Sequence, residues 1–214
     1  MSISLPKSMS STTEFNHPSD CEVLSAMRER SRRRAEAFSM DPVVQERAKQ
    51  ISLLLIDVDG VLTDGRITYN DQGAEEKSFH VRDGMGIRLV RNIGVEVGLV
   101  TARTSAMVAR RATELGIEHL FQGVGRKVDT FKEIIAATGK TPHEVAYMGD
   151  DWIDLGVLQR VGLAACPADA ASEVRETCHL VTAQKGGMGA VRELCEIIVR
   201  AKGKYHSLLD QYRC

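Results

Sequence analysis

Two aspartates one residue apart, Asp57 and Asp59, follow directly on the apolar run Leu53 to Ile56 and precede Gly60. Four continuous apolar residues suit a strand buried on both faces of a parallel sheet. Side chains alternate along an extended chain, so both carboxylates leave the end of that strand toward one side, while Gly60 lets the backbone turn away. Two like charges held that close call for a cation between them. Oxygen-only donors favour a hard metal, Mg2+ above others. An Asp-x-Asp triplet alone is common and often marks a solvated turn or a helix cap. The apolar run before it and Val61-Leu62-Thr63 after it single this one out.

Three further groups follow in order. Glu96 to Val100 leads into Thr101, which offers a hydroxyl. Lys127 opens the helical stretch Val128 to Ile135 and offers a fixed ammonium. Val145 to Met148 leads into Gly149-Asp150-Asp151, with Asp154 a turn later. Singly, each has a plainer reading. Thr101 could cap the helix expected over Ser105 to Leu115, and a lone lysine is usually solvated surface.

Together and in this order, the four groups resemble the motifs of the haloacid dehalogenase superfamily of phosphohydrolases, over about residues 50 to 200. The resemblance implies Asp57 as nucleophile and Asp59 as general acid and base. It implies Thr101 and Lys127 as holders of the transferring phosphoryl group. Mg2+ would be held by Asp57, Asp59 (through its backbone carbonyl) and Asp150, with Asp151 and Asp154 supporting those ligands. Gly60 belongs to the same loop and is expected to lie against the substrate. These roles agree with the chemistry, since phosphoryl transfer is helped mainly by positioning and charge stabilisation.

The elements that must position these residues alternate along the chain. Strand-like runs alternate with helical runs that end at Gly116 and Gly139, both C-cap signals. This predicts an α/β fold with a doubly wound parallel sheet over residues 41–214. Val43 to Gln50 reads as a short helix feeding the first strand. Residues 1–40 are rich in Ser, Thr and charge and read as a poorly ordered extension, with a helix over Ala26 to Phe38. The arginines at 30, 32, 33 and 34 read as a solvated helix face. A chain of 214 residues with net charge −1 can hold one well-cored domain and shows no basic stripe, so no nucleic-acid partner is expected. Five scattered cysteines without a C-x-x-C pair, no signal peptide and no long apolar span imply reduced thiols, a cytoplasmic protein and no membrane insertion.

Many members of the superfamily carry a cap domain inserted near the first two motifs. Here only about 40 residues separate Gly60 from Thr101 and about 25 separate Thr101 from Lys127, too few for one. The first gap reads as a hairpin flap: Arg66 to Asn70, a turn at Asp71-Gln72-Gly73, then Lys77 to Val81. An uncapped site needs a lid from elsewhere. The stretches Phe79 to Ile87 and Gly186 to Glu193 resemble the capless 3-deoxy-D-manno-octulosonate 8-phosphate phosphatases of lipopolysaccharide precursor synthesis. That resemblance implies a homotetramer whose hairpins and C-terminal tails complete neighbouring sites. It also implies an acidic sugar phosphate held in part by Arg103 and Arg111. Ala102 and Met188 depart from the glycine and arginine common in that family. A phosphatase for nine-carbon sialic-acid-type phosphates and a non-catalytic homologue are the alternatives. Arg103 favours the eight-carbon substrate, because the nine-carbon group tends to carry glutamate there.

Overall fold

The computed structural model describes residues 21–23, 25–27, 29–30 and 41–213. The chain divides into two units, Met1–Ser39 and Met40–Cys214. In the first, the described positions from 21 to 30 are helical and exposed. Most of the helix expected over 26–38, with the arginines at 32, 33 and 34, lies outside the described residues.

The second unit opens with helix α1 (Pro42–Gln50). Asp41 accepts from the Val43 and Val44 amides, and Pro42 spends its missing donor where no intrahelical partner exists. The chain then enters β1 (Leu53–Ile56), which is buried throughout. Six parallel strands form one sheet in the order β5 (His119–Phe121), β4 (Glu96–Val100), β1, β6 (Val145–Met148), β7 (Leu163–Cys166), β8 (Leu180–Val181). The chain builds outward from β1 on one side, then crosses to β6 on the other. Strand order therefore reverses at β1, the place where open α/β sheets bind ligands.

Alternation along the strands sorts the core into two layers. Leu54, Ile56, Leu99, Ala146 and Met148 pack with α1, α2 (Val81–Asn92), α3 (Ala106–Leu115) and α7 (Ala190–Ala201). Leu53, Leu55, Val145 and Tyr147 pack with α4 (Lys127–Thr138), α5 (Leu155–Leu158) and α6 (Ser172–Thr177). A short helix, α8 (Tyr205–Gln211), ends the described chain. This is the expected doubly wound fold, with no cap. Among the described residues no helix is long and apolar enough to cross a membrane. Cys21, Cys166, Cys178 and Cys195 are free thiols.

Two local expectations need correction. The hairpin pairs β2 (Thr68–Tyr69) with β3 (Glu75–Glu76), not with Lys77 to Val81. The turn itself falls at Asp71 to Gly73 as expected, fixed by the Asn70 side chain, which accepts from the Gln72 and Ala74 amides; the second strand follows it at once. Val81 instead starts α2, an unanticipated helix whose first turns carry Gly84 and Gly86. Both glycines are contact points. A Cβ on Gly84 would lie 2.3 Å from the Arg111 guanidinium, and one on Gly86 would lie 2.9 Å from the Arg192 Cα in α7.

Candidate active site

Strand register assembles the site. Ile56 lies level with Leu99 of β4 and Met148 of β6, so Asp57, Thr101 and Gly149-Asp150 leave the sheet side by side. The Asp57 amide donates to the Met148 carbonyl at 2.9 Å, and the Thr101 amide to the Phe121 carbonyl at 2.9 Å, which prolongs the ladders into the site. Past Asp57 the backbone makes one wide turn, Val58–Leu62, in which Gly60 takes φ 85°. A Cβ there would be both strained and 2.0 Å from Asp150 Oδ2, so only glycine lets the loop close on that carboxylate.

The turn and strand ends enclose an open pocket of about 250 Å³ whose lining includes Asp57, Asp59, Gly60, Thr101, Arg103 and Asp150. Six of the residues singled out from sequence thus share one cavity. Lys127 lies behind it, at the start of α4, buried against Asp57 Oδ2 at 2.8 Å. Arg111 is not among the lining residues. It packs beneath Gly84, its guanidinium 5.9 Å from the Phe79 ring centroid, and pairs with Glu114 at 3.3 Å.

Asp154 organises the back of the site. Its Oδ1 accepts from Lys127 Nζ at 2.7 Å and from the Tyr147 hydroxyl at 2.5 Å; its Oδ2 accepts from the amides of Asp150 at 3.1 Å and Asp151 at 3.3 Å. It is fully buried. Both its oxygens are committed, so this carboxylate ties Lys127 to the Asp150 loop. Tyr147 was not picked out from sequence, although its place two residues before Gly149 in β6 turns it toward the layer that contains α4. Asp151 is exposed and accepts from the Trp152 amide, which starts the short helical turn Trp152–Asp154.

Charge in the site is out of balance in a way that matters. Burial, then the nearby Asp154 charge, raises the Asp57 pKa to about 7, even with Lys127 opposing. Burial, then the charges of Asp57 and Asp154, raises Asp150 to about 7. Burial works against the Lys127 ammonium, but its two carboxylate partners outweigh it and push the pKa up. One lysine does not compensate three carboxylates, two of them buried and the third, Asp150, half-buried. Asp57, Asp150 and Asp154 each offer an oxygen within 4.8 Å of the others, a cluster that fits a hard divalent cation. Asp154 already accepts four hydrogen bonds, which leaves Asp57 and Asp150 as the better donors to a metal.

The hairpin reaches this site. Lys77 Nζ, buried, pairs with the Asp59 carboxylate and lies 3.2 Å from Glu75 Oε1. Glu75 Oε1 also accepts from Arg103 at 2.8 Å. Neither Glu75 nor Lys77 stood out in the sequence, where each is one more charge in a polar hairpin.

A strand end bearing two aspartates, a buried lysine and a carboxylate cluster at the switch point of a capless doubly wound sheet define a phosphohydrolase of the haloacid dehalogenase type. No protein-family model matches the chain. It is 45% identical over 164 residues to the 3-deoxy-D-manno-octulosonate 8-phosphate phosphatase of Yersinia pestis, covering 77% of this chain and 87% of that protein. The crystal structure of the Moraxella catarrhalis enzyme of that name, in complex with magnesium ion, phosphate ion and KDO, aligns at TM-score 0.78 and 37% identity. That match covers 79% of this chain and 97% of the other. A Legionella pneumophila structure described as a HAD superfamily (subfamily III A) hydrolase aligns at TM-score 0.77 and 39% identity, over 79% of this chain and 93% of that one. The chain belongs to the 3-deoxy-D-manno-octulosonate 8-phosphate phosphatase family.

Proposed function

We propose that this protein hydrolyses 3-deoxy-D-manno-octulosonate 8-phosphate to the free sugar acid and phosphate, in a Mg2+-dependent reaction of lipopolysaccharide precursor synthesis in the cytoplasm. The observation that carries the reading is Asp57: a carboxylate at the switch point, inside a carboxylate cluster, with its Oδ2 2.8 Å from a buried ammonium. The substrate class rests on the Yersinia pestis and Moraxella catarrhalis relatives and on Arg103 in the pocket wall.

In this mechanism Asp57 attacks phosphorus and forms an aspartyl-phosphate, which water then cleaves. Asp59 gives a proton to the departing sugar oxygen and takes one from the incoming water. The Thr101 oxygen accepts from the Arg103 amide at 3.2 Å, which turns its proton outward to donate to a phosphoryl oxygen. Lys127 supplies a fixed positive charge beside the developing oxyanions. Asp57, Asp150 and the Asp59 carbonyl would hold Mg2+, which supplies charge neutralisation to substrate and site alike. Arg103 takes the sugar carboxylate, a match between a planar fork and a planar anion. Arg111 lies outside this pocket, so in this reading it serves the acidic sugar only at a neighbouring subunit's site.

The homotetramer belongs to this reading. Ile67, Tyr69, Val81, Trp152, Ile153 and Met188 are large apolar residues exposed on the hairpin, on α2 and on the loops after β6 and β8. Such a set is best covered by neighbouring subunits, whose hairpins and tails would complete one another's sites. The first 40 residues lie outside the catalytic domain in this reading. The deciding experiment is phosphate release from a panel of sugar phosphates with and without Mg2+. Highest kcat/KM for the eight-carbon acid phosphate is expected. Equal or higher values for a nine-carbon acid phosphate or a hexose phosphate would overturn the substrate assignment, and activity after exhaustive chelation would overturn the metal.

A further inference from the structure

The hairpin presents one polar face to the pocket. Tyr69 and Glu75 are cross-strand partners, so their side chains stand together on the same face. Glu75 hydrogen-bonds Arg103, and Tyr69 stands beside the same guanidinium. Lys77, two residues beyond Glu75, reaches Asp59 on the same side. Four charges therefore alternate across the mouth of the site: Asp59, Lys77, Glu75, Arg103. Arg103 is only part-satisfied in this arrangement. Its Nε is buried without a partner while one terminal nitrogen is engaged by Glu75. A guanidinium with an idle buried donor is one acceptor short of the two-point grip that a carboxylate provides.

We propose that Glu75 is a specificity-determining residue: its carboxylate occupies, in the free protein, the place on Arg103 that the substrate's own carboxylate takes. The inference rests on the assignment of Arg103 to the sugar acid. The hairpin acid works as an internal competitor. A phosphate ester that carries a second, well-placed carboxylate displaces Glu75 and leaves Arg103 paired. A neutral sugar phosphate offers nothing in exchange, so it meets the clasped form. Displacement also frees Tyr69 and Glu75 together, because they are opposite each other in a hairpin only two paired residues long. Binding of the correct substrate and opening of the flap thus become one event. The cost is a tax on affinity, since apparent binding falls by the fraction of molecules in which Arg103 is free.

The test is the ratio of kcat/KM for 3-deoxy-D-manno-octulosonate 8-phosphate to that for ribose 5-phosphate, a sugar phosphate with no carboxylate. It is measured in the full-length protein and in Glu75→Gln, Glu75→Ala, Arg103→Gln and the double variant Glu75→Gln/Arg103→Gln. With the competitor removed, Glu75→Gln and Glu75→Ala should each raise the ratio about two- to tenfold, the range of a charge-assisted pair at a half-exposed site. The gain should appear as a lower KM for the acidic substrate. In the Arg103→Gln background, Glu75→Gln should leave the ratio where Arg103→Gln alone puts it. A ratio that stays the same or falls in both Glu75 variants, while Arg103→Gln lowers it, overturns the inference and keeps the substrate reading. A ratio untouched by Arg103→Gln overturns both. Equal gains with and without Arg103 also overturn the inference, because Glu75 would then act on the substrate by another route.

Discussion

Asp154→Asn is the most informative single change, because the structure fixes what an amide can and cannot do there. Each carboxylate oxygen of Asp154 accepts two donors: Lys127 and Tyr147 on one, the Asp150 and Asp151 amides on the other. An asparagine has one acceptor oxygen and one NH2. With its oxygen toward Lys127 and Tyr147, the Asp150 and Asp151 amides face the NH2; turned the other way, Lys127 faces the NH2 and the Tyr147 hydroxyl must turn to accept from it. In either orientation the amide is neutral, so the buried ammonium loses one of its two anionic partners. Removing one partner of a buried ion pair costs about 3–5 kcal/mol. In a domain of this size, about 2–4 °C of melting temperature goes with each kcal/mol, so a fall of about 6–20 °C is expected. The same change loosens the Asp150 loop and the Lys127 ammonium, so kcat on an aryl phosphate should fall at least about tenfold, the equivalent of 1.4 kcal/mol. Thermal melts with and without Mg2+, paired with aryl phosphate turnover, read both. A variant that melts within two degrees of the parent and keeps its kcat would refute the assignment of Asp154 as the tie between Lys127 and the Asp150 loop.

Further outcomes follow from the same geometry. Asp57→Asn should abolish turnover while the melt stays near that of the parent, since the amide is nearly isosteric but a poor nucleophile; Mg2+-dependent activity in a clean preparation would contradict it. Gly60→Ala should cost most of the activity, because its Cβ would meet Asp150 Oδ2 at 2.0 Å from a φ of 85°; parent-like turnover would show that the loop relaxes at no cost. Without metal, Asp57 and Asp150 keep their protons in the folded state up to about 7, whereas unfolded carboxylates release theirs near pH 4. The folded state binds more protons between those values, so metal-free stability should fall as pH rises from about 4 to 7. Mg2+ replaces those protons, so the rise in melting temperature on adding Mg2+ should be larger at about pH 8 than at about pH 6; the reverse order would rule out these two carboxylates as the metal-linked pair. Light scattering should report a tetramer, and a fully active monomer would remove the proposed role of neighbouring hairpins.

What the sequence made legible is what strand ends make legible. Asp57, Thr101 and Asp150 each follow an unbroken apolar run, and parallel register then brings them level. Lys127 was readable because it opens a helix of clear period. The residues that escaped notice act across long separations through contacts that no local pattern encodes. Tyr147 reads as one more apolar strand residue until Asp154 folds beneath it. Glu75 and Lys77 sit in a hairpin whose polar composition says only that it is exposed. Helix α2 was hidden by Gly84 and Gly86, which lower helix propensity locally yet are required by the passage of Arg111 and α7. Arg111 stood out by resemblance, and the fold places it outside the pocket lining of its own chain.

The segment carrying Met188 is held by main chain almost throughout. The Gly187 amide donates to the Val61 carbonyl at 2.9 Å, the Gly186 amide to Asp169 at 3.0 Å, and the Gly189 amide to the buried Asp83 at 3.3 Å. Gly186 and Gly187 lie so close to the backbone of Gly60 and Thr63 that a Cβ on either would clash. Glu193 secures the approach by accepting from the Ala183 and Gln184 amides. The Met188 side chain takes no part in this anchorage and is 54% exposed. The loop is therefore a mount with an interchangeable tip. Its position is set by glycines and carboxylates on either side, and residue 188 can be exchanged for a longer, charged or polar one without retooling the mount. A change of side chain at this tip therefore leaves the anchoring contacts in place and does not disturb Asp57, Asp59 or Asp150.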